Sequence, residues 1–366
     1  MKARTAAALF LLCAGLAFAA LGCGAAEDVT TTTSTTAIPT TTTTTEAPAT
    51  WREAQPVGDT PSARCYQGMV YDSESDQILV FGGFDGVESL GDTWVYDPAT
   101  ERWGDLEAQG EGQPLADKQI AAAYAAAEQL VVSFDGTTWG YDVVQNSWSA
   151  LGPKGAKLKP ARQGCCMAVD QRSGVVVLFG GTDNLRSYNE TWVYDPSTNW
   201  WGRVEIDGDI PKGRSDASMV YDPGTGLMVL FGGVDSDFTC LNDMWTFDIE
   251  TSTWTRVVAN TRVPMARSAH AMAYDGHSGE VILFGGIDSQ FVCYNDTWAY
   301  DVAENSWKEL MPTGANPQPR CRMQLVYASA VDKLVLFGGM TFGVDVPGGL
   351  GIPSYFGDTW VFGVEP

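Results

Sequence analysis

The sequence predicts an all-β fold built from a repeated unit of four antiparallel strands. Three observations predict it. Trp residues recur in pairs nine apart: Trp94 and Trp103, Trp139 and Trp148, Trp192 and Trp201, Trp245 and Trp254, Trp298 and Trp307, with Trp360 opening a sixth unit. Short β-branched runs end in Gly-Gly ("ILVFGG", "VVLFGG", "MVLFGG", "VILFGG", "LVLFGG") and lack helical periodicity. The 40 Gly, 13 Trp, 13 Tyr and 15 Phe among 366 residues suit turns and strands.

Each unit reads in the same order. A Pro-x-x-Arg or similar segment opens it, at Arg64, Arg162, Arg214, Arg267 and Arg320. An apolar strand follows and ends in Tyr-Asp, as at Tyr71-Asp72, Tyr221-Asp222 and Tyr274-Asp275. A Gly-containing or polar turn reverses the chain into the run that ends in Gly-Gly. A loop leads to the third strand, which carries the first Trp, and a short turn leads to the fourth, which carries the second. Four strands every ~50 residues is the period of a propeller blade. The second unit, near 115–151, departs from the pattern. It has "LVVSFDGTTW" in place of Gly-Gly and a loop, and Asp117-Lys118 in place of the Arg.

These units resemble kelch repeats in their double Gly, their Tyr and their spaced Trp, over Trp51 to Pro366. The resemblance implies a six-bladed β-propeller of four-stranded antiparallel blades. Trp51, in "TWREAQPVGDTPSAR", matches the segment at Trp307, "SWKELMPTGANPQPR". It is therefore expected to supply the fourth strand of the last blade, so that strand exchange closes the ring and removes an exposed edge.

The segment before residue 51 reads as targeting and tether. Lys2 and Arg4 precede the apolar run "TAAALFLLCAGLAFAALG", and Ala20–Cys23, "ALGC", resembles a bacterial lipobox. The expectation is a signal peptide over 1–22, lipid on Cys23, and a Thr/Pro-rich disordered tether over 24–50. Lipid attachment would leave the propeller, 51–366, on the outer surface of the cell membrane, and the membrane would be met only through that anchor. Cleavage without lipid would make the protein secreted.

Lys plus Arg total 22 against 45 for Asp plus Glu, a formal net charge of −23. That balance opposes nucleic-acid binding, which needs a basic footprint. A monomer without cofactor or metal is expected. The two His, His270 and His277, show no metal-ligand spacing, and no nucleophile elbow is present. The His set of galactose-oxidase-type copper enzymes, which also use kelch blades, is missing.

Candidate ligand-binding residues fall on one face. The opening arginines recur with an Asp two residues after Gly-Gly (Asp85, Asp183, Asp235, Asp288) and suggest a belt of alternating charge around the mouth of the central channel. Inter-blade ion pairing is the structural account of that belt. An Arg-lined funnel for an acidic ligand is the functional one, and the repetition favours the structural account. Departures from the repeat are better pointers to a site. Nineteen residues separate Gly339 from Asp358, against ten from Gly233 to Asp243, and the longer loop carries Phe342, Tyr355 and Phe356. Two functions are compatible with these features. One is a non-enzymatic module that binds a glycan or protein through the loop-rich face. The other, by resemblance to six-bladed kelch sialic-acid mutarotases, is a sugar mutarotase or epimerase using the Arg/Asp funnel.

Six cysteines lie in the repeats. Cys240 and Cys293 occupy one loop position in neighbouring units, and Cys65 and Cys321 each follow an opening Arg where the ring closes. Cys65–Cys321 and Cys240–Cys293 bridges are expected if the chain is exported, with Cys165 and Cys166 vicinal, free or paired elsewhere.

Overall fold

In the computed structural model, which describes residues 49–110, 112–114, 120–158, 161–343 and 351–364, six antiparallel sheets stand around a central axis as the blades of a propeller. The signal, Cys23 and nearly all of the tether lie outside these residues. Blade one shows the order of all: Gly68–Asp72 innermost, then Gln77–Phe81, Thr93–Asp97 and Arg102–Asp105 outermost. The other inner strands are Ala121–Ala125, Gln163–Val169, Ser218–Asp222, Ala271–Asp275 and Gln324–Ala328, and each contacts the next around the ring. Among the described residues the one helical segment is the single turn Ala126–Glu128.

The continuous apolar runs are explained by burial on both faces. Ile78, Leu79, Val80 and Phe81 all lie in the core, because the blades stack on each other and each sheet meets a neighbour on either side.

One wedge recurs at all six seams. The second Trp of each blade packs on a Phe of the preceding blade's second strand: Trp148 on Phe81, Trp201 on Phe134, Trp254 on Phe179, Trp307 on Phe231, Trp51 on Phe284 and Trp103 on Phe337, with centroids 4.8–6.1 Å apart. Its indole N–H donates to the Thr just before the preceding blade's first Trp, as from Trp148 to Thr93 and from Trp254 to Thr191. At Trp307 that acceptor is replaced by Met244, and the buried N–H is left without a partner.

Closure uses the same wedge. Thr50–Glu53 pairs antiparallel with Thr359–Gly363, so the start of the propeller supplies the outer strand of blade six. Trp51 packs on Phe284 and Phe362 and donates to Thr297 Oγ1 at 2.9 Å, the contacts that the other second Trp residues make. Blades two and three each gain a fifth, two-residue strand that the repeat does not announce. Gln109–Gly110 runs parallel to Ser147–Ala150, and Lys154–Gly155 parallel to Trp200–Arg203.

Replacing Trp51 by Ala is expected to lower unfolding free energy by about 3–5 kcal/mol, read by urea denaturation, because a large buried ring is lost at the closing seam. Thr191→Val is expected to cost about 1–3 kcal/mol by orphaning the Trp254 N–H without opening a cavity.

Candidate functional site

Among the described residues the opening arginines are the most enclosed cations. Arg64, Arg162, Arg214, Arg267 and Arg320 are 0–2% exposed. Each guanidinium meets the carboxylate two residues before the first Trp of its own blade. Arg64 reaches Asp92 at 2.5 and 2.7 Å, Arg214 reaches Asp243 at 2.7 and 2.8 Å, Arg267 reaches Asp296 at 2.6 and 2.7 Å, and Arg320 reaches Asp358 at 2.6 and 2.8 Å. Arg162 meets Glu190 at 2.7 Å. The same Arg donates to the carbonyl of the first Gly of the pair, as from Arg214 to Gly232 at 2.8 Å. The first Trp donates its indole N–H to that carboxylate, as from Trp298 to Asp296 at 2.7 Å. The fork thus ties the end of strand two to the start of strand three.

The Arg backbone serves the seam. At Arg64, Arg214, Arg267 and Arg320 its N–H donates to the preceding blade's loop and its C=O accepts from the second Gly of the preceding pair, as in Arg267 N–H to Leu241 O (3.0 Å) and Gly233 N–H to Arg267 O (2.9 Å). This approach requires glycine. A Cβ on Gly232 would lie 2.6 Å from Arg267 O, and one on Gly285 2.7 Å from Arg320 O.

Two residues past each Arg, the chain takes a left-handed conformation at Tyr66, Gly164, Asp216, Ala269 and Arg322. Their backbones chain together around the axis. Tyr66 donates to Arg322, Arg322 to Ala269, Ala269 to Asp216, and Asp216 to Gly164, at 2.7–3.2 Å. This collar lies at the loop-rich end of the ring. Beyond it the channel widens into a cavity of about 930 Å³ lined by inner-strand residues such as Met167, Met219, Met272 and Leu325. Tyr71, Tyr124, Tyr221, Tyr274 and Tyr327 stand near its far mouth, beside the first turns of the blades.

The post-Gly-Gly carboxylates do not meet the arginines. They build the loop tips. Asp85 accepts from the N–H groups of Val87 and Glu88, Asp183 from Leu185 and Arg186, Asp235 from Asp237 and Thr239, and Asp288 from Gln290 and Val292, at 2.8–2.9 Å. Asp235 also takes Lys212, at 2.5 Å. Each tip then holds an apolar side chain out in water: Val87 (87% exposed), Leu185 (90%), Phe238 (82%), and Phe291 with Val292; Ile352 stands out from the blade-six loop. Phe238 and Phe291 do so at positive φ, +56° and +63°, a conformation that an aromatic residue rarely adopts.

In the long blade-six loop, Met340–Phe342 pairs with Pro353–Tyr355, and residues 344–350 lie outside the described set. Its three aromatics have separate neighbours. Phe356 covers the Arg320 guanidinium at 3.9 Å, Tyr355 leans on Phe84 of blade one at 6.0 Å, and Phe342 meets Phe291 of blade five at 6.1 Å. Tyr188 and Tyr294 cover Arg162 and Arg267 as Phe356 covers Arg320.

This Arg–Gly-Gly–Trp architecture matches the model of the KLHDC2/KLHL20/DRC7 Kelch-repeats domain, over residues 23–223 and 172–365. The chain belongs to the kelch-repeat family. Curated relatives include acyl-CoA-binding domain-containing protein 4 of Arabidopsis thaliana, 26% identical over 309 residues (79% of this chain, 45% of the relative). Kelch domain-containing protein 3 of Rattus norvegicus is 28% identical over 213 residues (55% of this chain, 53% of the relative). The chain spans about half the length of these two relatives.

The expected charge belt of this kelch propeller is thereby corrected in two respects. The Arg pairs lie within blades rather than between them, and their partners, Asp92, Glu190, Asp243, Asp296 and Asp358, precede the first Trp. That signal was in the repeated "DTW" and "ETW" of the sequence. The enclosed arginines present no donors to a ligand in the channel. His270 is buried, with both ring nitrogens unpartnered, and burial first, then the Arg267 charge, depress its pKa to about 3, so it stays neutral packing. Among the described residues no group of His, Cys, Asp and Glu is arranged to hold a metal ion.

The expected bridges Cys65–Cys321 and Cys240–Cys293 are not formed, and all six described cysteines are free thiols. For Cys240 and Cys293 the register explains this. A loop cysteine meets not its equivalent in the next blade but the residue after that blade's opening Arg. Cys240 Sγ lies 3.7 Å from Ser268 Oγ. Cys165 and Cys166 donate instead to their own blade's Gly180 and Phe179 carbonyls.

Blade two supplies an internal control. Its Asp135 accepts from Trp139, as the other carboxylates do from their Trp, but has no cation against it among the described residues. Burial raises its pKa, and the Thr137 and Trp139 N–H groups offset this only in part. At Asp92, Asp243, Asp296 and Asp358 burial raises the pKa too, but the Arg hydrogen bonds and charge outweigh it and the net shift is downward from 3.8. Depressed carboxylates stabilise the fold above their unfolded pKa, and that stability is lost as pH falls through the folded pKa; the raised Asp135 has the opposite sign. Asp243→Asn is therefore expected to cost about 3–5 kcal/mol at neutral pH by leaving Arg214 buried and unpaired. Asp135→Asn is expected to leave stability equal or higher. Urea unfolding of both variants from about pH 7 down to pH 3 checks the two signs, and the cost of Asp243→Asn should shrink at the acid end.

Proposed function

We propose that this kelch propeller is a non-catalytic binding module that docks a protein partner through its loop-rich face. The supporting observation is the set of tips. Five neighbouring loops each expose an apolar side chain, and two of these are aromatics held in strained backbone. Exposed apolar groups gathered on one face are the mark of an interaction surface. Strained residues at exposed loop tips point the same way. The carboxylates that build the tips make the rim acidic, which suits a partner with basic residues around an apolar centre. A glycan is the other ligand class such aromatics accommodate. The buried arginines leave a mutarotase reading without its substrate donors.

The test is Phe238→Asn with Phe291→Asn. Asn tolerates positive φ, so the variant is expected to keep or slightly raise its melting temperature. Capture of a partner from the native source, with mass spectrometry of what is lost, should fall at least tenfold; a parallel glycan array reads the other class. Unchanged capture with intact fold would defeat the proposal.

We also propose export with lipid attachment at Cys23, supported by the basic start, the apolar run and the Ala20–Cys23 segment. Cys23→Ala is expected to move the protein from the membrane fraction to the soluble fraction.

A further inference from the structure

The cysteine that follows an opening Arg and the cysteine of the preceding loop coincide once. By the register that sets Cys240 against Ser268, Cys293 of the blade-five loop falls against Cys321 of blade six, the Ser268 equivalent. The blade-five loop pairs through Ile287 and Cys293, and blade six opens through the pairing of Cys321 with Met340. Cys293 Sγ lies 3.9 Å from the Met340 carbonyl, and its thiol is within hydrogen-bonding reach of Cys321. We propose that Cys293 and Cys321 form a thiol–disulfide site that covalently ties the blade-five tip to blade six when a low-molecular-weight disulfide is the oxidant.

The two thiols are unequal, as the exchange requires. Cys321 is fully buried and Cys293 partly open. The hydrogen bond from Cys321 pulls the Cys293 pKa down against its burial, helped by Thr341, the Phe342 N–H and the Arg322 charge. The same hydrogen bond, with burial, pushes Cys321 up. Cys293 is therefore the attacking thiolate and Cys321 the resolving thiol. The Cys293 thiolate attacks one sulfur of the oxidant and displaces the other half as a thiolate. Cys321 then loses its proton, attacks Cys293 Sγ in the mixed disulfide and displaces the second half. Two protein thiols are oxidised to one disulfide, and one small disulfide is reduced to two thiols. Phe291 and Val292, next to Cys293 on the proposed docking rim, would be held by the link; that consequence rests on the proposed function, while the link itself does not.

The full-length protein is incubated with glutathione disulfide, quenched with N-ethylmaleimide, digested and mapped without reduction. A Cys293–Cys321 peptide is expected, released by dithiothreitol. Cys321→Ser copies the residue found at Ser268, so it should fold, and it should stop at Cys293 carrying glutathione. Cys293→Ser should prevent both products, and Cys240→Ser neither. Folded wild type that keeps both thiols alkylatable after the oxidant, or that links Cys321 to the nearby Cys65, would overturn the site. Partner capture is not read here, so the rim proposal and the thiol site fail separately.

Discussion

The propeller depends on one residue used in two directions at once. The side chain of each opening Arg closes its own blade, gripping the end of strand two and the start of strand three. At four of the five, Arg64, Arg214, Arg267 and Arg320, its backbone also closes the seam to the blade before, through the N–H and the C=O. A buried guanidinium is tolerable only because a carboxylate, a Gly carbonyl and, in three blades, an aromatic face surround it. The glycine pair follows from the same requirement, since the Arg carbonyl comes too close for a Cβ. Blade two has neither Arg nor Gly-Gly and is held by the Trp wedges, the Ile120 N–H to Tyr66 O and Asn146 to Leu106 O hydrogen bonds and the added strand Gln109–Gly110, so a blade can stay in the ring without the Arg clamp.

The fold was legible because packing repeats and the repeat is written in large residues. Trp spacing placed the blades, and the match of Trp51 to Trp307 placed the closing strand. The charged network was legible in composition but not in pairing. Two carboxylates per blade are candidates for the Arg, and only the course of the loop decides that Asp235 folds its own tip while Asp243 takes Arg214. The Cys240–Cys293 pairing failed for a related reason. Equivalent positions in neighbouring blades look adjacent in an alignment, whereas the ring offsets each loop onto the opening segment of the next blade, as Cys240 on Ser268 shows. The exposed tips carried no strong signal, because Val87, Leu185 and Ile352 are of different residue types and a lone apolar residue in a polar loop is ordinary on a surface.

What is regular in this chain serves the scaffold and what is irregular faces outward. Arginines, glycines and tryptophans are enclosed and repeated. The tip residues vary, Val87, Leu185 and Ile352 against Phe238 and Phe291, and blade six adds a longer loop that leans on blades one and five through Tyr355 and Phe342. Blade two offers only Asp135–Thr137 between its second and third strands, so the rim is uneven. A surface of unequal tips on an invariant frame can be re-specified by changing side chains without disturbing the ring.

The closing strand has a consequence in time. Thr50–Glu53 is among the first parts of the propeller to be made, and its partner Thr359–Gly363 among the last. During synthesis the early strand must wait, unpaired, for nearly the whole chain, while the later blades stack without a seal. Bringing ends so distant together is entropically slow to nucleate even though each further residue of loop adds little. Every nascent intermediate is therefore an open arc with one bare edge, and the Trp51 wedge is the event that converts that arc into a ring.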